Sequence, residues 1–302
     1  MINDLQIPGC EAFAKIEPIN KGTNDEKYYI ETNDGRQLLL RIADGSKYEL
    51  KKNTHAMLGQ ISKLDITFSR PVKIGLCNND KNVYQLLTWV NGDDAESVLP
   101  ISTEKEQYNL GLKSGRVLRQ IHSVSAPEET EDWDIKFNRM LQKQLNEFNT
   151  KTELHFEFEE IIVGYFKKNR DKLGVRPQSL NHGDYNPGNI IVMPNGEIGV
   201  IDFACSYGDP CYDISQAGWH PTQFPYFYSG LILGHCDGEP TIEYWKAYIH
   251  YWALYTFYAL LCPQWVGLDN LENGKRVVRD ILDWSDNLSN PIPKWYMGSS
   301  YH

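Results

Sequence analysis

Residues 180–213 read LNHGDYNPGNIIVMPNGEIGVIDFACSYGDPCYD, and this segment is the most informative in the chain. Two apolar runs within it, NIIVM and IGVIDF, are rich in β-branched residues. The NG pair at 195–196 between them is the strongest short signal for a β-hairpin turn. A hairpin brings Asn189, just before the first strand, close to Asp202 at the end of the second. Asp184 precedes Asn189 on the entering loop, so three oxygen-bearing side chains are predicted at one end of a hairpin.

These three side chains suit the chemistry of a bound phosphate. Mg²⁺ prefers oxygen ligands and often takes only one or two from the protein, with substrate phosphates completing its shell. Asn189 and Asp202 can supply two such oxygens, which leaves Asp184 free to face an incoming hydroxyl group. Phosphoryl transfer asks for little more than a positioned carboxylate, metal ions and a cation on the phosphates.

The spacing of these residues is similar to that of known kinases. H-G-D-x-x-x-x-N, followed by the Asp of IDF, resembles the protein-kinase catalytic loop and its metal-binding Asp. With GDPCYDI directly after it, the chain resembles the aminoglycoside phosphotransferase family of antibiotic kinases, which are related to macrolide and choline kinases. The similarity runs along most of the chain, from Lys21 to the C-terminal IPKWY. It implies that Asp184 is the catalytic base and that Asn189 and Asp202 hold magnesium.

The resemblance also implies a fold. We expect an α+β, two-lobe protein-kinase-like fold, with a small antiparallel-sheet N-terminal lobe and a mainly helical C-terminal lobe. The nucleotide would bind in the cleft and the acceptor on the helical lobe. Secondary-structure patterns place the boundary near residue 91, so residues 1–91 form the predicted nucleotide-binding lobe and residues 92–302 carry the catalytic loop and acceptor site.

Local patterns support this division. Residues 1–91 contain about five strands and one helix, including a hairpin of KYYIET and QLLLRI around an Asp-Gly turn. Residues 92–302 carry longer segments with apolar residues at helical spacing. The predicted helices span residues 47–63, 104–122, 137–148, 158–172, 242–261 and 272–288.

Two N-terminal segments are similar to nucleotide-binding parts of the family. NKGTNDEKYYI resembles the loop that covers the phosphates, and we expect Gly22, Thr23 and Asn24 to lie against them. QLLTWVNG resembles the hinge, where backbone groups of Thr88 and Val90 would face adenine. The implied cofactors are Mg²⁺ and ATP or GTP as phosphoryl donor.

One position departs from the kinase pattern. Kinases of this fold place a lysine on the third strand that pairs with the phosphates and with a helix glutamate, whereas this chain has Arg41. Arginine keeps the charge and binds phosphate bidentately. The expected helix position holds Thr54, with Asn53 beside it, and Glu49 lies one turn earlier as a substitute. If no acid reaches Arg41, a catalytically weak nucleotide-binding protein becomes the alternative.

Four further residues match family positions with structural roles. Asp209 and Asp213, in GDPCYD, match a motif that braces the catalytic loop, although Asp213 touching the acceptor is an open alternative. His182 is expected to fix the loop rather than to transfer protons. His122, at the end of a predicted helix, matches an architectural position.

Composition sets the class of protein. The 302 residues are 41% hydrophobic and 23% charged, which is ordinary for a globular chain. The six cysteines include no C-x-x-C pair, so zinc and redox motifs are disfavoured. The N-terminus lacks a secretory pattern, and the aromatic run at 242–261 carries charges at helical spacing. We expect a cytoplasmic protein with no membrane partner.

The net charge of −10 is unevenly distributed. Residues 1–91 contain 12 Lys and Arg against 11 Asp and Glu, whereas the remainder contains 18 against 29. An acidic acceptor lobe suits a cationic acceptor and disfavours nucleic acid, although solubility explains the same pattern. Acidic candidates for contact with such an acceptor are Asp209, Asp213, Asp237 and Glu239.

The leading hypothesis is therefore an O-phosphotransferase. It would move the γ-phosphoryl group of magnesium-bound ATP or GTP to a hydroxyl of a small cationic antibiotic, such as an aminoglycoside, and so confer antibiotic resistance. A metabolite kinase acting on choline, homoserine, methylthioribose or a sugar is the alternative, because the motifs do not fix the acceptor. A metallohydrolase is disfavoured, since the sequence has no H-x-H-x-D group.

Overall fold

The computed structural model describes residues 7–20, 25–169, 173–217 and 221–299. The chain forms two compact units, each built from two segments. The first combines Met1–Pro100 with His182–Ser206, and the second combines Ile101–Asn181 with Tyr207–His302. The sequence prediction differs, since it placed the whole of 92–302 in one lobe. Residues 182–206 group with the N-terminal segment because two strands of the predicted hairpin join a sheet there.

A five-stranded antiparallel sheet forms the larger part of the first unit, in the order β1-β2-β3-β6-β5. Its strands are β1 (Phe13–Ile19), β2 (Glu26–Thr32), β3 (Gln37–Asp44), β5 (Pro71–Cys77) and β6 (Asn82–Thr88). The central strand β3 buries consecutive leucines on both faces, which explains the unbroken apolar run in QLLLRI. The sequence patterns did not identify β1, which contains Pro18 and lies at the edge, where a missing N–H is tolerated. Helix α1 (Tyr48–Ile61) follows β3.

A second, four-stranded sheet carries the predicted hairpin. Its strands are β4 (Thr67–Phe68), β7 (Asp93–Asp94), β9 (Ile190–Val192) and β10 (Ile198–Val200), in the order β4-β10-β9-β7. Strands β9 and β10 pair antiparallel, as predicted from NIIVM and IGVIDF, and β4 joins β10 in parallel. A short helix, α2 (Ala95–Val98), follows β7.

The hairpin turn differs from the predicted two-residue type. Gly196 has a φ of 75°, but Asn195 is not among the described residues with positive φ, as a two-residue Asn-Gly turn of type I′ requires. Instead, the N–H of Gly196 donates to the carbonyl of Met193 at 2.8 Å, which closes a turn with Pro194 at its second position. Proline fixes that position, so the glycine moves to the end of the turn.

The second unit is mainly helical. Its helices are α3 (Glu104–Ile121), α4 (Trp133–Phe148), α5 (Thr152–Phe158), α6 (Gly164–Asn169), α7 (Pro210–Ser215), α8 (Pro225–Cys236), α9 (Ile242–Leu261) and α10 (Leu271–Trp284). A π-helical turn, Glu159–Val163, separates α5 from α6. A small two-stranded sheet pairs β8 (Ser179–Asn181) with β11 (Ser206–Gly208).

Most predicted helices occur with shifted ends. Helix α9 has the predicted bounds, whereas α10 ends at Trp284 because Asp286, Asn287 and Leu288 have positive φ. The sequence patterns did not identify α8, which is buried along most of its length and therefore lacks an alternating polar face. The described helices include none that is sufficiently long and apolar to span a bilayer.

Helices α3 and α8 pack with their backbones in close approach. A Cβ atom added to Gly111 would lie 2.0 Å from the carbonyl oxygen of Phe227, and one added to Gly230 would lie 2.2 Å from that of Tyr108. Most of the aromatic side chains of α9 are buried in the same unit and contact one another edge to face. They pack the core of the second unit.

Candidate active site

Asp184 lies on a loop whose hydrogen bonds fix both of its carboxylate oxygens. Asn186 Nδ2 donates to Oδ1 at 2.7 Å, and Asn189 Nδ2 donates to Oδ2 at 2.9 Å. Asn186 also accepts from the N–H of Gly188 at 2.9 Å, so its side chain is itself held. The carboxylate is partly exposed, and the hydrogen bonds hold it in one orientation. Asn186 was not among the predicted site residues, although Asn followed by Pro is a recognisable signal for the start of a helical turn.

The loop depends on a glycine at its entry. Gly183 has a φ of 84°, in the region that side chains rarely adopt, and an added Cβ would lie 3.1 Å from Ala204. The adjacent His182 is fully buried and bonds the loop through its ring. The motif HGD therefore combines a buried anchor, a conformationally free residue and an oriented carboxylate.

Asn189 and Asp202 meet at the open end of the hairpin. The N–H of Ile201 donates to the carbonyl of Asn189 at 3.0 Å, so Asp202 follows directly after the residue that faces Asn189. Both N–H donations of the Asn189 side chain go to Asp184, to its carboxylate and its backbone carbonyl. Within the described parts of the chain, the side-chain oxygen of Asn189 has no hydrogen-bond donor. The structure thus places the Asn189 side chain on Asp184 and the Asn189 backbone beside Ile201, the residue before Asp202.

Two cations bind Asp202. Lys27 Nζ lies 2.7 Å from Oδ2, and Arg41 Nη1 lies 2.6 Å from Oδ1. Burial raises the pKa of Asp202, but the charges of Arg41 and Lys27 prevail and hold it below its ordinary value. The residue has a φ of 59° and its side chain is 30% exposed. Asp202 is therefore an ionised carboxylate with room for a further ligand.

A second carboxylate, Asp25, binds the other edge of Arg41. Its Oδ2 accepts from Arg41 Nε at 2.8 Å and lies 2.7 Å from Nη2, and it also bonds Lys51 on α1. Burial acts to raise the pKa of Asp25, yet the bond from Lys51 and the charge of Arg41 lower it overall. Three cations and two carboxylates thus form one network in the first unit.

This network corrects the sequence expectation about the partner of Arg41. Glu49 is exposed and lies 3.9 Å from Lys52, and the hydroxyl of Thr54 bonds the carbonyl of Leu50 in its own helix. The acid that binds Arg41 is Asp25, which precedes β2. The sequence analysis also missed Lys27 and Lys51, because ion pairs between residues distant in the chain leave no spacing signal.

The predicted adenine-facing residues lie at the end of β6. The N–H of Thr88 donates to the carbonyl of Arg70 at 2.9 Å, so it is used within the fold. Among the described residues, the backbone N–H and carbonyl of Val90 have no hydrogen-bond partner. Val90 therefore keeps free the groups that a hinge would present to a base, and Thr88 keeps at most its carbonyl. Gly22, Thr23 and Asn24 lie outside the described residues.

In the second unit, Asp209 is fully buried, and both of its carboxylate oxygens accept hydrogen bonds. It accepts from Arg176, from the hydroxyl of Tyr251 and, at 2.8 Å, from the N–H of Cys211 at the start of α7. Burial acts to lower the pKa of Arg176, but the hydrogen bond and the charge of Asp209 together raise this pKa above its ordinary value. The carbonyl of Asp209 also accepts from Asn181, the last residue of β8. Asp209 therefore has a structural environment rather than a ligand-binding one.

Asp213 is likewise buried, with 1% of its surface exposed. It lies 3.0 Å from Nε2 of His122, whose Nδ1 lies 2.8 Å from Nε2 of His235. Burial, and then the charge of His122, lowers the pKa of His235 to about 3. Neither Asp209 nor Asp213 is exposed enough to meet an acceptor in this structure. Asp237 pairs with Arg119, and Glu239 bonds Tyr296 and the N–H of Ser299.

The donor set suits magnesium better than a transition metal. Within the described ranges, no three His, Cys, Asp or Glu side chains are grouped so as to hold an ion. Asn189 and Asp202 offer instead one amide oxygen without a donor and one ionised carboxylate. Two such oxygens, completed by phosphates and water, fit the coordination preference of Mg²⁺.

Comparisons with known proteins agree with this geometry. The APH family model, described as the phosphotransferase enzyme family, matches residues 15–254. The gentamicin complex of APH(2")-IIa has a TM-score of 0.62 at 16% identity, covering 89% of this chain and 91% of that chain. The GDP complex of aminoglycoside 2'-phosphotransferase-IIIa has a TM-score of 0.63 at 14% identity, covering 91% and 94%.

A third solved structure comes from another group of kinases. It is a choline/ethanolamine kinase family protein from Mesorhizobium loti, with a TM-score of 0.62 at 13% identity, covering 95% of each chain. A search of curated protein sequences finds no significant match. At these identities the structural similarities establish the fold, and the predicted α+β kinase-like architecture is confirmed.

Proposed function

The chain belongs to the APH phosphotransferase enzyme family and is a small-molecule kinase, and on that premise we propose a specific reaction. In this reaction, the protein transfers the γ-phosphoryl group of magnesium-bound ATP or GTP to a hydroxyl of a small cationic antibiotic such as an aminoglycoside. The observation that carries this proposal is the pair of hydrogen bonds at the open end of the β9–β10 hairpin by which Asn189 contacts both Asp184 and Ile201, the residue before Asp202. Asn189 and Asp202 suit a metal, whereas Asp184 is partly exposed and has no cation bonded to it among the described residues.

Asp184 is the proposed catalytic base. Its two oxygens accept hydrogen bonds from Asn186 and Asn189, so the carboxylate is held in one orientation. The acceptor oxygen attacks the γ-phosphorus, the bond from that phosphorus to the β–γ bridging oxygen breaks, and the acceptor proton passes to Asp184. Because the proton leaves late in such a reaction, a positioned carboxylate can accept it.

The donor nucleotide is assigned to the first unit. Arg41 and Lys27 supply positive charge for the phosphates, and Asn189 and Asp202 would hold Mg²⁺, which would offset the negative charge of the phosphates. By family resemblance, Gly22, Thr23 and Asn24 cover the phosphates. Thr88 and Val90 face adenine or guanine through backbone groups, which the free N–H of Val90 supports.

His182, Asp209 and Asp213 are assigned bracing roles. His182 links the catalytic loop to the residue before Asp202, and Asp209 links the start of α7 to the strand that leads into that loop. Since Asp209 and Asp213 are buried, other carboxylates must attract a cationic acceptor. We place acceptor selection within residues 92–302, which carry the excess of acidic residues. A cytoplasmic location and a role in antibiotic resistance follow from the same proposal, with no nucleic-acid or membrane partner.

A metabolite is the second candidate acceptor. The TM-score to the choline/ethanolamine kinase family structure equals the TM-score to the gentamicin complex of APH(2")-IIa, at 0.62. The catalytically weak alternative loses its main support, because it rested on Arg41 having no acid partner and Asp25 provides one.

An ADP-release or GDP-release assay tests the function directly. We expect magnesium-dependent release that requires an acceptor, in a panel of aminoglycosides, macrolides, choline, homoserine, methylthioribose and sugars. Activity with an antibiotic, together with reduced drug susceptibility of a host that expresses the chain, supports the proposal. Activity only with a metabolite replaces the acceptor, and nucleotide binding without release for any acceptor contradicts the enzymatic assignment.

A further inference from the structure

Of the two acids in the ion network, Asp25 is the more deeply buried. The network consists of Lys27, Arg41, Lys51, Asp25 and Asp202. Its side chain is 1% exposed, and three N–H donors from Arg41 and Lys51 converge on its Oδ2 atom. Asp202, by comparison, is 30% exposed. A carboxylate buried in this way is stable in its charged form only when it has charged partners, and it restrains the side chains of those partners in return.

The contacts of Arg41 divide between two sides of its guanidinium group. Nε and Nη2 face Asp25, whereas Nη1 faces the more exposed Asp202. A planar group held at two of its nitrogens cannot rotate about its long axis without breaking both contacts. Asp25 therefore determines the direction in which Nη1 points.

We propose that Asp25 is the positioning residue that orients Arg41 toward the phosphates of a nucleoside triphosphate, in place of an acid on helix α1. The proposal rests on the function proposed above. In kinases of this fold the strand cation pairs with a glutamate from the helix. In this chain the helix contributes a cation, Lys51, and the acid comes from the segment that leads into β2.

This arrangement still joins the strand to the helix. Asp25 accepts from Arg41 on β3 and from Lys51 on α1, so one carboxylate bridges the two elements that a direct ion pair would otherwise connect. Asp25 also follows the predicted phosphate-covering segment directly.

A transfer of the carboxylate from residue 25 to the helix tests the proposal. In Asp25→Asn, we expect Mg-ATP or Mg-GTP to bind about 10- to 100-fold more weakly, because Arg41 loses its orientation. In the double variant Asp25→Asn/Lys51→Glu, the helix supplies the acid, and we expect affinity to recover by about tenfold relative to Asp25→Asn/Lys51→Gln. The two double variants differ only in the charge at position 51.

Binding is measured by calorimetry with Mg-ATP and Mg-GTP, after circular dichroism confirms that each variant is folded. The double variant Asp25→Asn/Lys51→Gln leaves no unpaired buried lysine, so it provides the folded reference if Asp25→Asn alone unfolds. Glu49→Gln is the matched control on the helix and should bind as the wild type does. In kinetics, Asp25→Asn should raise the nucleotide KM as well as lower kcat, which a purely structural defect would not do selectively.

Each outcome is decisive. Wild-type affinity in Asp25→Asn, weakened binding in Glu49→Gln, or equal affinities in the Glu and Gln double variants would overturn the positioning role while leaving the proposed function intact. Absence of nucleotide binding by the wild-type chain would overturn both. The expected order of affinity is wild type, then the Asn/Glu variant, then the Asn/Gln variant.

Discussion

The backbone N–H of Asp184 donates a hydrogen bond to Nδ1 of His182 at 3.1 Å, while Nε2 of the same ring lies 3.0 Å from the carbonyl of Ile201. A carbonyl can only accept, so Nε2 carries the proton and Nδ1 is the bare nitrogen. The loop therefore selects one neutral tautomer of His182. This ring connects the proposed catalytic base to the residue directly before the proposed metal ligand Asp202.

Replacing His182 by Ala should destabilise the first unit. The change leaves the N–H of Asp184 and the carbonyl of Ile201 without their buried partner, and each such group costs about 1–3 kcal/mol. We expect the free energy of unfolding to fall by at least about 2 kcal/mol, measured by urea denaturation. His155→Ala, which removes a partly exposed ring bonded to one carbonyl, should cost less. Equal losses would contradict the anchoring role of His182.

Replacing Asp184 by Asn should abolish transfer and spare nucleotide binding. The amide cannot accept the acceptor proton, and the loss of a general base lowers kcat by about 10²- to 10⁴-fold. Steady-state kinetics and calorimetry with Mg-ATP separate the two effects. Asn186→Ala removes one of the two amides that orient Asp184, so we expect a smaller fall in kcat with unchanged nucleotide affinity. Substantial turnover by Asp184→Asn would show that another group receives the proton.

The local part of the site was predictable from the sequence because its residues are close in the chain. Two strands joined by a short turn pair antiparallel, so the segment before β9 had to lie beside the segment after β10 once the two strands were recognised. The turn type was predicted less well, since Pro194 next to Asn195 favours a longer turn than the Asn-Gly pair alone. Local spacing therefore predicted which residues meet, but not every backbone angle between them.

The ion network was not predictable in the same way. Asp25 and Lys51 are brought to Arg41 by the packing of α1 and the pairing of β2 with β3, and no fixed spacing relates the three. The acid was expected on the helix, where related kinases have it, and Glu49 was the candidate. Helix α8 was not predicted for a different reason, since a helix buried along most of its length lacks the polar face that marks an amphipathic helix.

Acid should destabilise the second unit through His235. Burial, and then the charge of His122, lowers the pKa of His235 from 6.5 to about 3, so the unfolded chain binds a proton that the folded chain excludes between these values. Stability therefore falls as the pH drops through this window, by up to about 1.4 kcal/mol per pH unit. His235→Gln should reduce that slope in urea denaturation between pH 4 and 6. An unchanged slope would assign the acid sensitivity to other groups.

Replacing Gly111 by Ala should disrupt the contact between α3 and α8. The new methyl group would lie 2.0 Å from the carbonyl oxygen of Phe227, so the helices must move apart, at a cost of about 1–3 kcal/mol or more. Gly164→Ala is the matched control in the same unit, since an added Cβ there meets no atom within 4 Å. That change should stabilise the protein by about 0.4–1 kcal/mol. Thermal denaturation of both variants should therefore shift the midpoint in opposite directions.

Replacing Asp202 by Asn should change the metal dependence of nucleotide binding rather than remove binding. The carboxylate is the proposed magnesium ligand, and it also binds Lys27 and Arg41. An amide is a weaker ligand for Mg²⁺ and no longer neutralises the two cations, which become free to face phosphate oxygens. We expect calorimetry to show that magnesium no longer strengthens binding, while metal-free ATP binds at least as tightly as it does to the wild type. Asp44→Asn, an exposed acid that bonds Ser46, should keep the wild-type response. If magnesium strengthened nucleotide binding by Asp202→Asn as much as it strengthens binding by the wild type, the metal would be held by other oxygens.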